Sequence, residues 1–349
     1  MKKVKNAILI ALSIALMYCF GMAVSAAESS YGNGDVASVD ISQLYYLTNA
    51  GTTSPADTFC YTITFDNVTE GGTGAGAVEF SPNTFEIAFA EGAAGGPQQK
   101  AAVNLPDYSS VGIYTYRITQ NVGKTAGVEY DREPVYLIVS VTRDEDGKLV
   151  RNCVLKRNGL KLGERTPAFT NVYNAGQVAV TKKVTGNLGD YDKYFNVEVT
   201  LTAPQLHSNV KSTITVSGGS NKGNPVSIGT EDWKNGKAVV NIKIKHNDTM
   251  TFSNIPYNVT YVVEEDDYVA SEKYDAATYK VNEGVATNAV NSNEVLQADN
   301  TVLITNNKGA DIDTGVVLKN APYVLILVLA AAGVVLFAFM KRRSHSEME

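Results

Sequence analysis

Gln177-Val178-Ala179-Val180-Thr181-Lys182-Lys183-Val184 alternates with period two, so that Val178, Val180, Lys182 and Val184 share one face and Lys183 points the other way. A strand with one apolar face belongs to a half-buried sheet. The anomaly is the lysine in the middle of that face, because burying an ammonium is costly. Two further runs repeat it. In Thr260–Glu265 the residues Tyr261, Val263 and Glu265 line up, which places a carboxyl among the hydrophobes. In Thr301–Asn306 the residues Val302, Ile304 and Asn306 do the same with a carboxamide. Each taken alone also reads as a snorkelling or strand-end residue, and Glu264-Glu265-Asp266-Asp267 also reads as an acidic turn. Together they put an amine, an acid and an amide where alternation demands apolar side chains.

Outward from these runs the same alternation recurs at Val39–Leu47, Phe59–Phe65, Gly112–Gln120, Val135–Thr142, Val150–Lys156, Phe195–Leu201 and Ala238–Ile244. No sustained helical period interrupts it. Asp146-Gly147 between two runs signals a hairpin, and Gly92–Gly96 marks a loop. The pattern predicts an all-β chain of two tandem Ig-like β-sandwich modules. They occupy 28–174 and 177–308, with the seam at Asn174-Ala175-Gly176. Composition agrees: 349 residues with 44% apolar and 19% charged content are too apolar for disorder. The net charge of −6 argues against a nucleic-acid partner, which needs a surface rich in Lys and Arg.

The ends set the compartment. Lys2, Lys3 and Lys5 precede an apolar run, and small residues at Val24-Ser25-Ala26-Ala27 permit cleavage, so 1–27 read as a secretory signal. Bulky Leu16-Met17-Tyr18 before Cys19 do not suit lipid attachment. Ala321–Met340 is an uncharged run of transmembrane-helix length, and Lys341-Arg342-Arg343 behind it keeps that end inside the cell. The segment 309–349, with Thr314-Gly315 ahead of the span and the basic tail, resembles the cell-wall sorting signal of Gram-positive surface proteins. That resemblance implies a sortase that cleaves between Thr314 and Gly315 and passes the Thr314 acyl group to an amine of another subunit or of peptidoglycan. Asp311-Ile312 stand where the usual motif has Leu-Pro, which leaves the identity of the sortase open. The product would be extracellular, anchored to the wall or in a pilus, after a transient membrane-bound precursor.

No metal or cofactor is expected. The three histidines are widely separated, and no HExxH, paired CxxC, Walker loop or GxSxG occurs. Asp144-Glu145-Asp146-Gly147 is too short for a calcium loop. The chemistry lies with the amine, acid and amide. Desolvation turns a lysine into a neutral nucleophile and keeps a carboxylic acid protonated. Such a pair beside an asparagine can expel ammonia and leave a Lys–Asn amide in a single turnover. The residues also carry a family likeness. Val180-Thr181-Lys182-Lys183-Val184-Thr185-Gly186, Ile255-Pro256 with Tyr261-Val262-Val263-Glu264-Glu265, and Ile304-Thr305-Asn306-Asn307-Lys308 resemble the isopeptide-linkage domain of Gram-positive pilins. The resemblance implies Lys182 as bond donor, Asn306 as acceptor and Glu265 as catalytic acid. Asn258 stands at the family's turn glycine, where Asn tolerates a positive φ.

The first module is similar to the amino-terminal domain of streptococcal backbone pilins through Pro55-Ala56-Asp57-Thr58-Phe59, Gly112-Ile113-Tyr114-Thr115-Tyr116, Tyr130-Asp131 and Phe169-Thr170-Asn171. At its reactive positions Gln43 replaces the lysine and Gln120 the glutamate, and only Asn171 remains. Glutamine is neither an amine nor a proton relay, so no bond is expected there, and the three amides are expected to form a neutral hydrogen-bonded cluster. Cys60 and Cys153 read either as a disulfide of an exported domain or as two separate thiols. The likeness also makes Lys156 and Lys161 candidates for the lysine that joins subunits. The function implied is a pilus subunit. A monomeric wall-anchored adhesin is the alternative, and a secreted enzyme would need a catalytic cluster that this sequence lacks.

Overall fold

Strands built on the alternating runs pair into two sandwiches. A computed structural model describes residues 31–289, 294–310 and 315–345. The expected signal segment 1–27 and the motif residues Asp311 to Thr314 lie outside the described residues. In chain order the first module contains β1 (Ser38–Leu47), β2 (Asp57–Thr69), β3 (Thr84–Phe89), β4 (Gln98–Asn104), β5 (Gly112–Gln120), β6 (Val128–Glu129), β7 (Val135–Arg143), β8 (Leu149–Arg157), β9 (Leu160–Lys161) and β10 (Phe169–Tyr173). One sheet has the order β4-β1-β10-β6 and faces the other, β3-β2-β5-β7-β8-β9.

The second module contains β11 (Ala175–Thr185), β12 (Phe195–Thr202), β13 (Ile214–Gly218), β14 (Val226–Ile228), β15 (Lys237–Ile244), β16 (Thr249–Pro256), β17 (Thr260–Glu265), β18 (Thr278–Val281), β19 (Glu294–Val295) and β20 (Asn300–Asn307). Its sheets are β14-β13-β16-β11-β20-β18 and β15-β12-β17-β19. Each module has its own buried core, one around Tyr45, Tyr61, Tyr116 and Phe169, the other around Val180, Val199, Phe252 and Ile304. Asn174 alone separates β10 from β11. The junction is held by polar contacts: Asn49 Nδ2 donates to the Ala175 carbonyl at 2.6 Å and to the Tyr257 hydroxyl at 2.8 Å, and Lys211 pairs with Asp57 at 2.6 Å.

The two modules share one topological rule. The first strand of each lies parallel to its last, β1 against β10 and β11 against β20. A parallel pair cannot be closed by a tight turn, so the whole module lies between the two partners. A link across that pair ties the ends of the domain together.

The cysteines settle as two separate thiols. Cys60 is on β2 and Cys153 on β8, and β5 and β7 lie between them. Three strand spacings of about 4.8 Å separate them by roughly 14 Å across the sheet, and the register adds about 20 Å along it. Cys60 stands level with Asn121 just past β5 and Cys153 with Tyr114, far beyond the reach of a disulfide. They also point to opposite faces. Cys153 packs against the core, whereas Cys60 donates its thiol to Glu86 at 3.3 Å on the outer surface. The disulfide reading is therefore wrong. Burial raises both thiol pKa values, with Glu86 adding to the effect at Cys60. Denatured chain is expected to take up thiol reagent at both positions without prior reduction, and reductant is expected to leave the melting temperature unchanged. Mass spectrometry and a thermal melt check these outcomes.

Beyond the sandwiches, helix α2 spans Gly315–His345, while α1 is a single turn at Val269–Glu272. Large apolar side chains of α2, among them Leu325, Leu329 and Phe337, are exposed. Among the described side chains alone, no helix is long and apolar enough to cross a membrane. The sequence's apolar run continues through positions whose side chains lie outside the described residues.

Candidate functional site

Lys182 enters the core because β11 alternates strictly from Val178 onward, past the register shift at Gly176: Val178, Val180, Lys182 and Val184 are all buried. The backbone there is pinned from the side. Lys182 N–H donates to the Asp248 carbonyl at 3.0 Å, and its own carbonyl accepts from Asn247 N–H at 2.8 Å. On β20, Ile304 lies opposite Lys182 and Asn306 opposite Val184, so the lysine reaches two residues along its parallel partner. Glu265 comes from the facing sheet, at the end of β17, with its backbone N–H donating to the Tyr279 hydroxyl at 3.0 Å.

Three elements from two sheets thus converge. Lys182 Nζ lies 2.5 Å from Glu265 Oε1 and also donates to Asn306 Oδ1. The Lys182 and Glu265 side chains have no solvent exposure. The ammonium position is 4.1 Å from the centre of the Phe195 ring. Burial pulls the Lys182 pKa down to about 8 from 10.5, with Glu265 opposing the shift. Burial likewise pushes the Glu265 carboxyl above its ordinary range, again with its partner opposing. Both shifts favour a shared proton between neutral groups over a separated ion pair, because the dry site solvates neither charge. This is the protonation that nucleophilic attack on an amide requires: a free amine lone pair, and an acid able to hand a proton to the departing nitrogen.

The corresponding place in the first module has the same backbone geometry and different chemistry. Gln43 lies opposite Phe169, and Tyr45 opposite Asn171, so Gln43 stands two residues before the partner of Asn171, as Lys182 does for Asn306. Gln43, Gln120 and Asn171 are all buried. They do not bond to one another, contrary to the expected cluster. Gln43 accepts from the Tyr61 hydroxyl at 2.5 Å and donates to the Leu44 carbonyl at 2.7 Å. Asn171 Oδ1 accepts from Asp131 N–H at 2.8 Å. The Gln120 side chain and Asn171 Nδ2 have no partner among the described residues. Tyr61 and Asp131 intercept the amides, and neither competition was visible in the spacing of the three residues.

Lys156 and Lys161 face each other across the β8–β9 hairpin. Its tip, Asn158-Gly159, has positive φ at both residues, a turn signal that sequence reading passed over. Directly opposed residues share a face, so both amines lie on one side of the sheet edge, Lys161 exposed and Lys156 half-buried. Asn258, at the family's turn glycine, adopts φ +67°. Asp144–Gly147 is a hairpin turn in which Asp144 Oδ1 accepts from Asp146 and Lys148 N–H.

Residues 41–174 match the Spy0128-like isopeptide containing domain. A curated relative described as a pilin of Streptococcus pyogenes serotype M1 is 28% identical over 313 residues, covering 84% of this chain and 88% of the relative. Along most of its length the chain resembles Gram-positive pilins. The crystal structure of the major pilin from Streptococcus pyogenes superposes on this chain with a TM-score of 0.56 at 25% identity, covering 78% of this chain and 99% of the other. A second major pilin of that species, T3.2, shares the fold with a TM-score of 0.51 at 16% identity, over 78% of this chain and 98% of the other. Residues 176–308 match a domain of unknown function. The isopeptide description therefore falls on the module that holds Gln43 and Gln120. The amine, acid and amide triad falls in the module without a described role.

Proposed function

We propose that this chain is a structural subunit of a sortase-assembled pilus, and that its second module is closed by an amide between Lys182 and Asn306. The observation that carries this reading is the contact of one fully buried amine with both a carboxyl and a carboxamide. In the reaction Lys182 Nζ attacks Asn306 Cγ while Glu265 polarises the carbonyl. The amine proton passes through Glu265 to the Asn306 side-chain nitrogen, the C–N bond breaks, and ammonia leaves. The donor is consumed, so each chain reacts once and no external substrate turns over.

The C-terminal sequence and helix α2 support the assembly half of the reading. Helix α2, at about 1.5 Å per residue, exceeds a hydrocarbon core of roughly 30 Å. With the uncharged run 321–340 and the basic residues behind it, α2 serves as the membrane hold of the precursor until a sortase cuts at Thr314. Lys161, exposed on the edge strand β9, is the better acceptor of the two candidates, because Lys156 is half-buried within the sheet. Coexpression with the cognate sortase is expected to give a ladder of covalent oligomers on a denaturing gel. Lys161→Arg is expected to abolish the ladder, and Lys156→Arg to leave it in place. A single band from the unsubstituted chain would mean a monomeric anchored adhesin, and a ladder that survives Lys161→Arg would move the junction elsewhere.

A further inference from the structure

Beyond the reacting side chains, a short segment lies over the end of the second sandwich where β20 finishes, beside the loop before β12. After β17 the chain passes Tyr268, makes the single turn α1 and returns through Tyr274 to β18. Tyr268, Tyr274, Phe195 and Val184 form a buried cluster of their own, apart from the main core. Tyr268 and Tyr274 meet the Phe195 ring edge-on, at 5.0 and 5.4 Å between centres, and Phe195 in turn lies against the Lys182 amine. Water must pass this layer to reach the lysine from that end.

The segment is tied down on every side. Asn196 N–H donates to the Tyr268 hydroxyl at 2.9 Å, and Asp190 N–H to the Tyr274 hydroxyl at 3.1 Å. Asp275 N–H donates to the carbonyl of Asn307, next to the acceptor asparagine, at 2.7 Å. Lys193 pairs with Glu272 of α1 at 2.6 Å, and its ammonium lies 4.5 Å from the Tyr268 ring centre and 5.3 Å from that of Phe195. A half-buried ion pair at the edge of a sandwich ordinarily contributes little. Here it joins the loop before β12 to the helical turn α1.

We propose that Tyr268–Tyr274 is a lid that keeps Lys182 dry while the amide forms, latched by Lys193 and Glu272. The inference rests on the Lys182–Asn306 reading. Tyr268, Lys193 and Glu272 are positioning residues, since none touches the reacting atoms. The lysine meets Glu265 from β17, Asn306 from β20 and the Phe195 ring from β12, with the Tyr279 hydroxyl of β18 on the Glu265 N–H. Behind Phe195 stand Tyr268, Tyr274 and Lys193, and the Lys308 ammonium lies 5.1 Å from the Tyr274 ring centre. His246 is occupied in accepting the Val184 N–H at 3.0 Å. With the lid open, water solvates the ammonium, and the free-amine fraction at neutral pH falls about tenfold for each unit by which the lysine regains basicity.

The full chain, made by cell-free translation and sampled over time by intact mass from pH 6 to 9, tests this. Lys193→Met and Tyr268→Ala are expected to slow the loss of ammonia several-fold at pH 7 and to move the rate profile toward higher pH. The exchange Lys193→Glu with Glu272→Lys is expected to restore both rate and profile. A merely structural latch would change the melting temperature without displacing the pH profile. Equal rates and an unmoved profile in Lys193→Met and Tyr268→Ala would overturn the lid while leaving the amide intact. No ammonia loss in the unsubstituted chain would overturn both.

Discussion

Replacing Glu265 by Gln is expected to leave the purified ectodomain at its full calculated mass, whereas the unsubstituted chain is lighter by one ammonia. Gln keeps the shape of the side chain and can still meet Lys182, but it carries no acidic proton to relay. Lys182→Ala and Asn306→Ala are expected to abolish the deficit as well, each by removing a reacting group. The thermal consequence is large. An amide between positions 182 and 306 closes nearly the whole module into a loop, which in the chain-entropy picture stabilises by about 5 kcal/mol. For a domain of this size that corresponds to roughly 20 °C in melting temperature. Asn306→Ala should fall below this simple difference, because it also leaves the amine and acid buried without a bond to justify their burial. Intact mass and differential scanning calorimetry of the same samples check both parts. A full-mass unsubstituted chain would end the covalent reading.

The site was legible in the sequence for a physical reason. A sheet buried on one face permits polar residues there only where something satisfies them, so Lys182, Glu265 and Asn306 stand out against Val180, Val263 and Ile304. Strands with full alternation, such as Gly112–Gln120 and Thr260–Glu265, coincide with β5 and β17. The unread strands lack that contrast. In β4, Gln98–Asn104, only Val103 is buried, because this edge strand meets the core through Val103 and the small side chain of Ala101. In β16 the apolar sequence Met250, Phe252 is broken by Asn254, which takes φ +65° and spends its side chain on Thr53 and Thr213 in the module junction. The disulfide failed for a different reason. Spacing along the chain carries no information about which face of which strand a thiol occupies, and β5 and β7 intervene between Cys60 and Cys153. The amide cluster failed because its competitors, Tyr61 and the Asp131 backbone, are distant in sequence from Gln43 and Asn171 respectively.

Gln43→Lys combined with Gln120→Glu is expected to produce a second ammonia deficit, in the first module. The scaffold already supplies the register, since Gln43 and Lys182 stand in the same relation to Asn171 and Asn306 across parallel strand pairs. Lysine has the same number of side-chain heavy atoms as glutamine, and glutamate has the shape of glutamine, so neither change overfills the core. Asn171 is also primed. The Asp131 N–H donated to its Oδ1 withdraws electron density from the carbonyl that the amine would attack. The single substitutions separate chemistry from packing. Gln43→Lys alone places an unpaired amine in a fully buried position and is expected to destabilise the module by about 3 kcal/mol, with no loss of mass. Gln120→Glu alone leaves a protonated acid with no nucleophile. The double substitution converts the first loss into a gain of similar size to the second module's bond, because the closed loop is of comparable length. If intact mass of the double variant shows one ammonia lost rather than two while its far-UV spectrum remains that of the parent, then register and burial do not suffice. In that case Tyr61, whose hydroxyl bonds the end of the side chain at position 43, would be the residue that silences the first module.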